Sequence, residues 1–209
     1  TMSTVLFIKA NNRPIDQAIS VKLYHAFKDS YTAAHPEDEI VELDLFAEQP
    51  RYYDHTTITG LYKTANGIET TPEEREAAAI ADRYLDQFLA ADKIVFGFPL
   101  WNMTVPAVLH SYLDYLNRAG KTFKYTPEGP VGLAGDKKVA ILNARGGIYS
   151  EGPAAASEMA VNFVVRSLGL FGIQNVTTII VEGHNQLPDQ AAALVKSGVA
   201  KAAEAAKNF

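Results

Sequence analysis

Apolar positions along this chain switch between two periods. "TVLFIKA" (4–10), "KIVFGFP" (93–99) and "KKVAILNA" (137–144) are continuous apolar runs with the length of buried strands. "EIVELDL" (39–45) alternates in strand fashion, and "NVTTIIVEG" (175–183) predicts a fifth strand. Between these runs the period lengthens. Over 17–33, Ile19, Leu23, Phe27 and Tyr31 stand four apart and form one stripe on a helix. Thr71, Pro72 and Glu74 are a helix start: an N-cap, a first-position proline and the far partner of a capping box. That helix should run to about Ala91. A further helix is expected over 106–120 with Gly120 as its stop, another over 153–171, and a last one ending near Ala206. Residues 46–70 read as a long loop with at most a short helix. Turn residues throughout "KTFKYTPEGPVGLAGD" (121–136) suggest a surface excursion.

The order βαβαβαβαβα implies an α/β fold, a parallel sheet with helices on both faces. Five strands suit the doubly wound order 2-1-3-4-5, whose switch point lies between strands 1 and 3. Ligands of such sheets bind beyond the carboxyl ends of the strands, at that crevice. Three segments therefore attract attention: "NNRPIDQAIS" after strand 1, "PLWNM" after strand 3 and "ARGGIY" after strand 4.

Composition narrows the function classes. The 209 residues are 47% apolar and 21% charged, as expected for one globular domain spanning 1–209. A net charge of −5, with no basic block, gives no electrostatic case for nucleic acid or an anionic membrane surface. Cysteine is absent, which removes disulfides, thiolate metal sites and cysteine nucleophiles together. No segment approaches the roughly 20 apolar residues of a membrane helix. These features lead us to expect a soluble, cytoplasmic protein. The five histidines (25, 35, 55, 110 and 184) show no metal-binding spacing, and no metal is expected. Neither a glycine-rich phosphate loop nor a G-x-S-x-G elbow occurs.

Each loop can be read in two ways from its residues. In "NARGGIY", Gly146 and Gly147 allow close approach of backbone to a flat ligand, and Arg145 offers a positive charge; equally, this is a turn with a solvated arginine. In "PLWNM", Pro99 ends the strand, Trp101 offers a broad apolar face and Asn102 offers both donor and acceptor; equally, Trp101 plugs the core or a subunit interface. The first loop can hold a phosphate on the free N–H groups of the following helix, with Ser20, Asn11, Asn12 and Arg13 adding polar groups; equally, Ser20 is an ordinary exposed helix residue.

Taken together, "FPLWNMTVPAVLHSYLDYLNRAGKTFKYTPEGPVGL", "KKVAILNARGGIYSEGP", "STVLFIKANNRPIDQAISVKLY" and "GLFGIQNV…VEGHN" closely resemble the FMN-dependent NADH-azoreductases of bacteria. These are also called FMN-dependent NADH:quinone oxidoreductases. The resemblance covers essentially the whole chain. It implies a flavodoxin-like fold, a homodimer and non-covalent FMN. It also implies a ping-pong reaction in which NADH or NADPH reduces the flavin, and quinones or azo compounds are then reduced, azo bonds being cleaved to amines. By position, the resemblance assigns Pro99, Leu100, Trp101, Asn102 and Met103 to the flavin ring. Ala144, Arg145, Gly146 and Gly147 fall at its pyrimidine edge, and Ala10, Ala18, Ile19 and Ser20 at its phosphate. Many relatives carry serine where this chain has Ala10 and Ala18, so backbone amides, the helix dipole and Ser20 must do more here. Phe123, Tyr125, Tyr149, Phe171, His184 and Asn185 are candidates for the substrate pocket, some of them across the dimer. No catalytic side chain is expected, because the flavin carries the chemistry. A flavodoxin-type electron carrier serving a protein partner is the alternative reading.

Overall fold

The computed structural model describes all 209 residues, Thr1–Phe209. Five parallel strands form the sheet: β1 (Thr4–Lys9), β2 (Glu39–Asp44), β3 (Lys93–Pro99), β6 (Lys138–Arg145) and β7 (Val176–Glu182). Their spatial order is β2-β1-β3-β6-β7, the expected doubly wound order. Its labels shift because β4 (Phe123–Thr126) and β5 (Gly129–Gly132) form a separate antiparallel hairpin inside the 121–136 excursion.

The apolar runs are continuous because both faces of the sheet are covered. Val5, Phe7, Val95, Ala140 and Leu142 pack on one side against Leu23, Tyr24 and Phe27 of α1 (Ile19–Ala34) and Ala202 of α7 (Ala191–Lys207). Leu6, Ile8, Ile94, Phe96, Phe98 and Ile141 face the other side. There they meet Leu85 and Phe88 of α4 (Pro72–Ala90), Leu109 and Leu113 of α5 (Ala107–Leu116), and Val164 and Leu168 of α6 (Val161–Leu170). The capping box forms at the start of α4. The Glu74 N–H donates to the Thr71 hydroxyl at 3.1 Å, and the Thr71 N–H to the Glu74 carboxylate at 2.9 Å. At its other end, the buried Lys137 ammonium donates to the carbonyls of Leu89 and Ala91, at 2.7 and 2.6 Å.

Several expected boundaries move. The 46–70 stretch is not one loop, since it holds α2 (Leu45–Glu48) and α3 (His55–Ala65). Asp44 caps α2 and Asp54 caps α3 through side-chain oxygens. The α3 helix buries only Thr57 and Gly60, so it leaves no apolar stripe to read. It packs on α4 so closely that a β-carbon at Gly60 would lie 2.3 Å from the Glu74 carbonyl oxygen. The α5 helix ends at Leu116, four residues before Gly120: the Thr122 hydroxyl donates to the Leu116 carbonyl and accepts the Arg118 N–H. The helix expected over 153–171 splits into a short 3₁₀ turn, Ala155–Ser157, and α6. Between them Glu158 turns inward, and its carboxylate accepts the Ala160 N–H at 2.5 Å.

Candidate functional site

Beyond the carboxyl ends of β1, β3, β6 and β7 lies a crevice of about 270 Å³. Its wall comes from four loops, at the switch point the strand order predicts. At one end is the start of α1. Ala18 occupies the N-cap position without a side-chain cap, and the first turn carries no acid. The first N–H groups of this helix therefore have no partner within the chain, an arrangement that favours an anion. Asn11 is buried; its amide donates to the Ser20 hydroxyl at 3.0 Å and its carbonyl accepts the Arg13 N–H at 2.9 Å. The Ser20 oxygen thus serves as an acceptor within the chain, and its proton remains available to a ligand. Ala10 is buried, with its N–H on the Gly97 carbonyl at 2.9 Å. Arg13 lines the crevice and forms no ion pair.

The loop after β3 is a tight two-residue turn. Trp101 and Thr104 exchange N–H···O bonds of 3.0 and 3.1 Å across Asn102 and Met103. Both turn residues are left-handed, with φ of 51° and 77°, as a type I′ turn requires. The turn is anchored from outside: the Met159 N–H donates to the Met103 carbonyl at 2.9 Å, and the Thr104 hydroxyl to the Met159 carbonyl at 2.8 Å. The N–H groups of Asn102 and Met103 have no partner in the chain. Pro99, Leu100 and Trp101 line the crevice. Trp101 also borders a second groove of about 550 Å³, which Tyr52, Tyr53, Asn102, His110 and Asp114 help to form.

Opposite, β6 ends at Arg145, which is neither solvated nor free. Its side chain is 1% exposed, with Nη2 3.1 Å from the Glu158 carboxylate and Nη1 3.6 Å from Glu182. Its Nε donates to Asn143 at 2.9 Å. Burial pushes the Glu182 carboxyl up. Hydrogen bonds from the Ser150 hydroxyl and the Tyr149 and Ser150 N–H groups, with the Arg145 charge, outweigh this and hold it below the usual carboxylate range. Glu182 is not among the sequence candidates; the sheet register places it opposite Arg145 at the ends of neighbouring strands. Nor is Glu158 among them. Past Arg145, Gly146 and Gly147 have unpartnered N–H groups. A β-carbon on Gly146 would lie 2.2 Å from the Asn185 amide nitrogen.

The loop after β7 completes the wall with His184 and Asn185. The Asn185 N–H donates to the Gly146 carbonyl at 3.0 Å. The His184 Nδ1 is buried without a partner, and burial pushes the ring's pKa down, favouring the neutral form.

The expected ring and phosphate segments thus converge on one crevice. Ala18, Ile19, Ser20, Pro99, Leu100, Trp101, Ala144, Arg145, Gly146, His184 and Asn185 all line it. Ala10, Asn102 and Gly147 sit directly beside lining residues in sequence, and Met103 follows Asn102 in the turn. Four other candidates lie outside the lining. Tyr149 packs its ring 5.9 Å from the Arg145 guanidinium. Phe123 and Tyr125 are on the β4–β5 hairpin, the first buried and the second 75% exposed. Phe171 is fully buried, edge-on to Phe88 at 6.3 Å, so within this chain it is a core residue and not part of a pocket wall.

The donors fit FMN in kind. An uncapped helix start, a serine hydroxyl and an unpaired arginine suit a phosphate. The Trp101 turn and the bare Gly146–Gly147 backbone suit a flat ring with a polar edge.

The chain has known relatives. A family described by its flavodoxin-like fold matches residues 3–206. The chain is 62% identical over 208 residues to an FMN-dependent NADH:quinone oxidoreductase of Bacillus cereus, covering 100% of both. It superposes on a solved azoreductase from Bacillus anthracis str. Sterne with a TM-score of 0.97 at 61% identity, again over 100% of both chains. A 25% identical FMN-dependent NADH-azoreductase from Bacillus anthracis str. Ames Ancestor, solved in complex with FMN, gives a TM-score of 0.90 over 99% of each chain.

Proposed function

The chain belongs to the family with the flavodoxin-like fold, and from that membership we propose that it is an FMN-dependent NADH:quinone oxidoreductase and azoreductase. FMN, when bound, would supply two-electron redox chemistry between NADH and an acceptor. For a quinone, NADH, one proton and the quinone become NAD⁺ and a quinol. For an azo bond, two such rounds yield two amines.

The observation that carries this reading is the crevice itself. The start of α1, Ser20 and Arg13 would hold the phosphate, while the Trp101–Met103 turn and Gly146–Gly147 would hold the ring. Ala10 and Ala18 contribute only backbone, so the helix start and Arg13 replace the missing hydroxyls. Neutral His184 and Asn185 close the ring end of the crevice. The adjoining groove beside Trp101 receives the acceptor. An electron carrier needs no such groove, which favours the enzyme.

The same reading includes one domain throughout, a cytoplasmic location and a homodimer. NADPH serves as an alternative donor. Exposed Tyr125, with Val131 and Leu133 nearby, offers the second copy an apolar hairpin surface. No helix is long and apolar enough to cross a membrane.

The test is direct. The purified protein should be yellow and should oxidise NADH when given a quinone or an azo dye, with rapid flavin reduction by NADH alone. A colourless protein that gains no activity from added FMN refutes the proposal.

A further inference from the structure

Arg145 lines the crevice beside Gly146, and two carboxylates set back from the lining pair with its guanidinium, so its positive charge is more than cancelled. Glu158 and Glu182 both contact its guanidinium, at 3.1 and 3.6 Å, and the Glu158 and Arg145 side chains are 7% and 1% exposed. Neither glutamate pairs with any other basic residue. Their remaining contacts are donors: the Ala160 N–H for Glu158, and the Tyr149 and Ser150 N–H groups with the Ser150 hydroxyl for Glu182. His184, also on this wall, is held towards neutrality by burial. One guanidinium and two carboxylates leave this wall with a net charge of −1. The opposite end is positive, through Arg13 and the start of α1. Such a cluster is costly to build, since buried charges lose hydration. One carboxylate would neutralise the guanidinium; the second, besides the loop N–H groups it accepts, adds a net negative charge.

We propose that Glu158 and Glu182 set the reduction potential of the flavin, holding it low through the net negative charge they place behind Gly146. This rests on FMN lying in the crevice with its ring edge at Gly146. Reduction adds electron density to the ring, and a fixed negative charge at its edge opposes that addition in a site with little screening. A low potential makes the reduced cofactor a stronger donor to acceptors that are hard to reduce, the azo bond among them. The accompanying cost is a smaller driving force for reduction by NADH. Glu158 and Glu182 are therefore tuning residues and need not touch substrate.

The experiment is a spectroscopic redox titration of the FMN-loaded protein beside E158Q and E182Q. Each variant keeps Arg145 paired with the remaining glutamate. The expected result is at least a tenfold shift of the flavin equilibrium towards the reduced form in each variant, about 30 mV upward for a two-electron couple. Stopped flow should show opposite changes in the two half-reactions, faster reduction by NADH and slower reoxidation by a low-potential azo dye. E182Q alters the more exposed of the two glutamates, so it carries the test alone if E158Q does not fold. An unchanged or lowered potential overturns the proposal. Loss of flavin from both folded variants also overturns it, because the glutamates would then hold the loop rather than tune the ring. FMN content of the unsubstituted protein is measured separately, so a failure of the cofactor reading is recognised as such.

Discussion

Asn102 bears two roles that a pair of substitutions can separate. Its φ is 51° and that of Met103 is 77°, so the turn after β3 needs two consecutive left-handed residues. A side chain with a β-carbon resists that conformation by roughly 1–2 kcal/mol, and asparagine resists it less than alanine does. Asn102→Ala should therefore destabilise the protein by about 1 kcal/mol. For a chain of this length that lowers Tm by about 2–4 °C. Asn102→Gly removes the same carboxamide but suits the turn, so its Tm should stay close to that of the unsubstituted protein. If the carboxamide also bonds the flavin, both variants lose a net hydrogen bond of about 1 kcal/mol. That corresponds to a roughly fivefold weaker Kd for FMN. Thermal unfolding gives the first quantity. Quenching of flavin fluorescence gives the second, and is preferable to tryptophan emission because Trp101 adjoins the substitution. Unchanged FMN affinity in Asn102→Gly would refute the carboxamide contact and leave the free N–H groups as the turn's whole contribution. Equal Tm values for the two variants would refute the strain argument.

Three further outcomes follow from the geometry. Gly146→Val should weaken FMN binding at least tenfold, about 1.4 kcal/mol, by displacing Asn185; adding Asn185→Gly should restore part of it, as FMN titration will show. Phe171→Ala should cost about 3–5 kcal/mol in denaturant unfolding, as for a buried core ring, yet leave the KM for quinone unchanged at temperatures where the protein stays folded. His184 has a folded-state pKa below its unfolded value of about 6.5, so the unfolded chain takes up the proton first as pH falls. Stability should be fully present above about pH 6.5 and decline below it; Tm measured against pH should show less of this decline in His184→Gln.

What could be read from the sequence was whatever burial writes into it. β1, β3 and most of β6 are apolar at core positions because helices cover both faces, and Thr71–Pro72–Glu74 declares the start of α4 through its own hydrogen bonds. The crevice followed from strand order, which places the loops after β1, β3 and β6 together. Features fixed by contacts distant in sequence stayed hidden. The α3 helix has no apolar stripe, because capping by Asp54 and the bare surface of Gly60 against α4 hold it. The helical pattern over 153–171 does not reveal that Glu158 leaves the helix to reach Arg145. Phe171 resembles a pocket aromatic in sequence, and only its packing on Phe88 and the hairpin places it in the core. The Ala134 N–H donates to the Phe171 carbonyl at 2.9 Å, and a β-carbon on Gly132 would lie 2.1 Å from the Gly172 nitrogen.

Arg145 shows why the charge of a motif cannot be taken at face value. In the sequence it is a positive residue beside two glycines, suited to stabilising an anionic ring. In the fold it is matched by two carboxylates, and the wall it supports carries the opposite sign. Arg13, without a carboxylate partner, keeps its charge and lies with the uncapped start of α1. The crevice is therefore polarised, positive where a phosphate would sit and negative where the ring edge would sit. At an effective dielectric constant of about 20, a unit charge still contributes roughly 2 kcal/mol at about 8 Å. This polarity sets both how a ligand with one anionic end can enter and how readily its ring accepts electrons. Removing Arg13 should therefore weaken FMN binding with little effect on potential, and removing a glutamate should do the reverse.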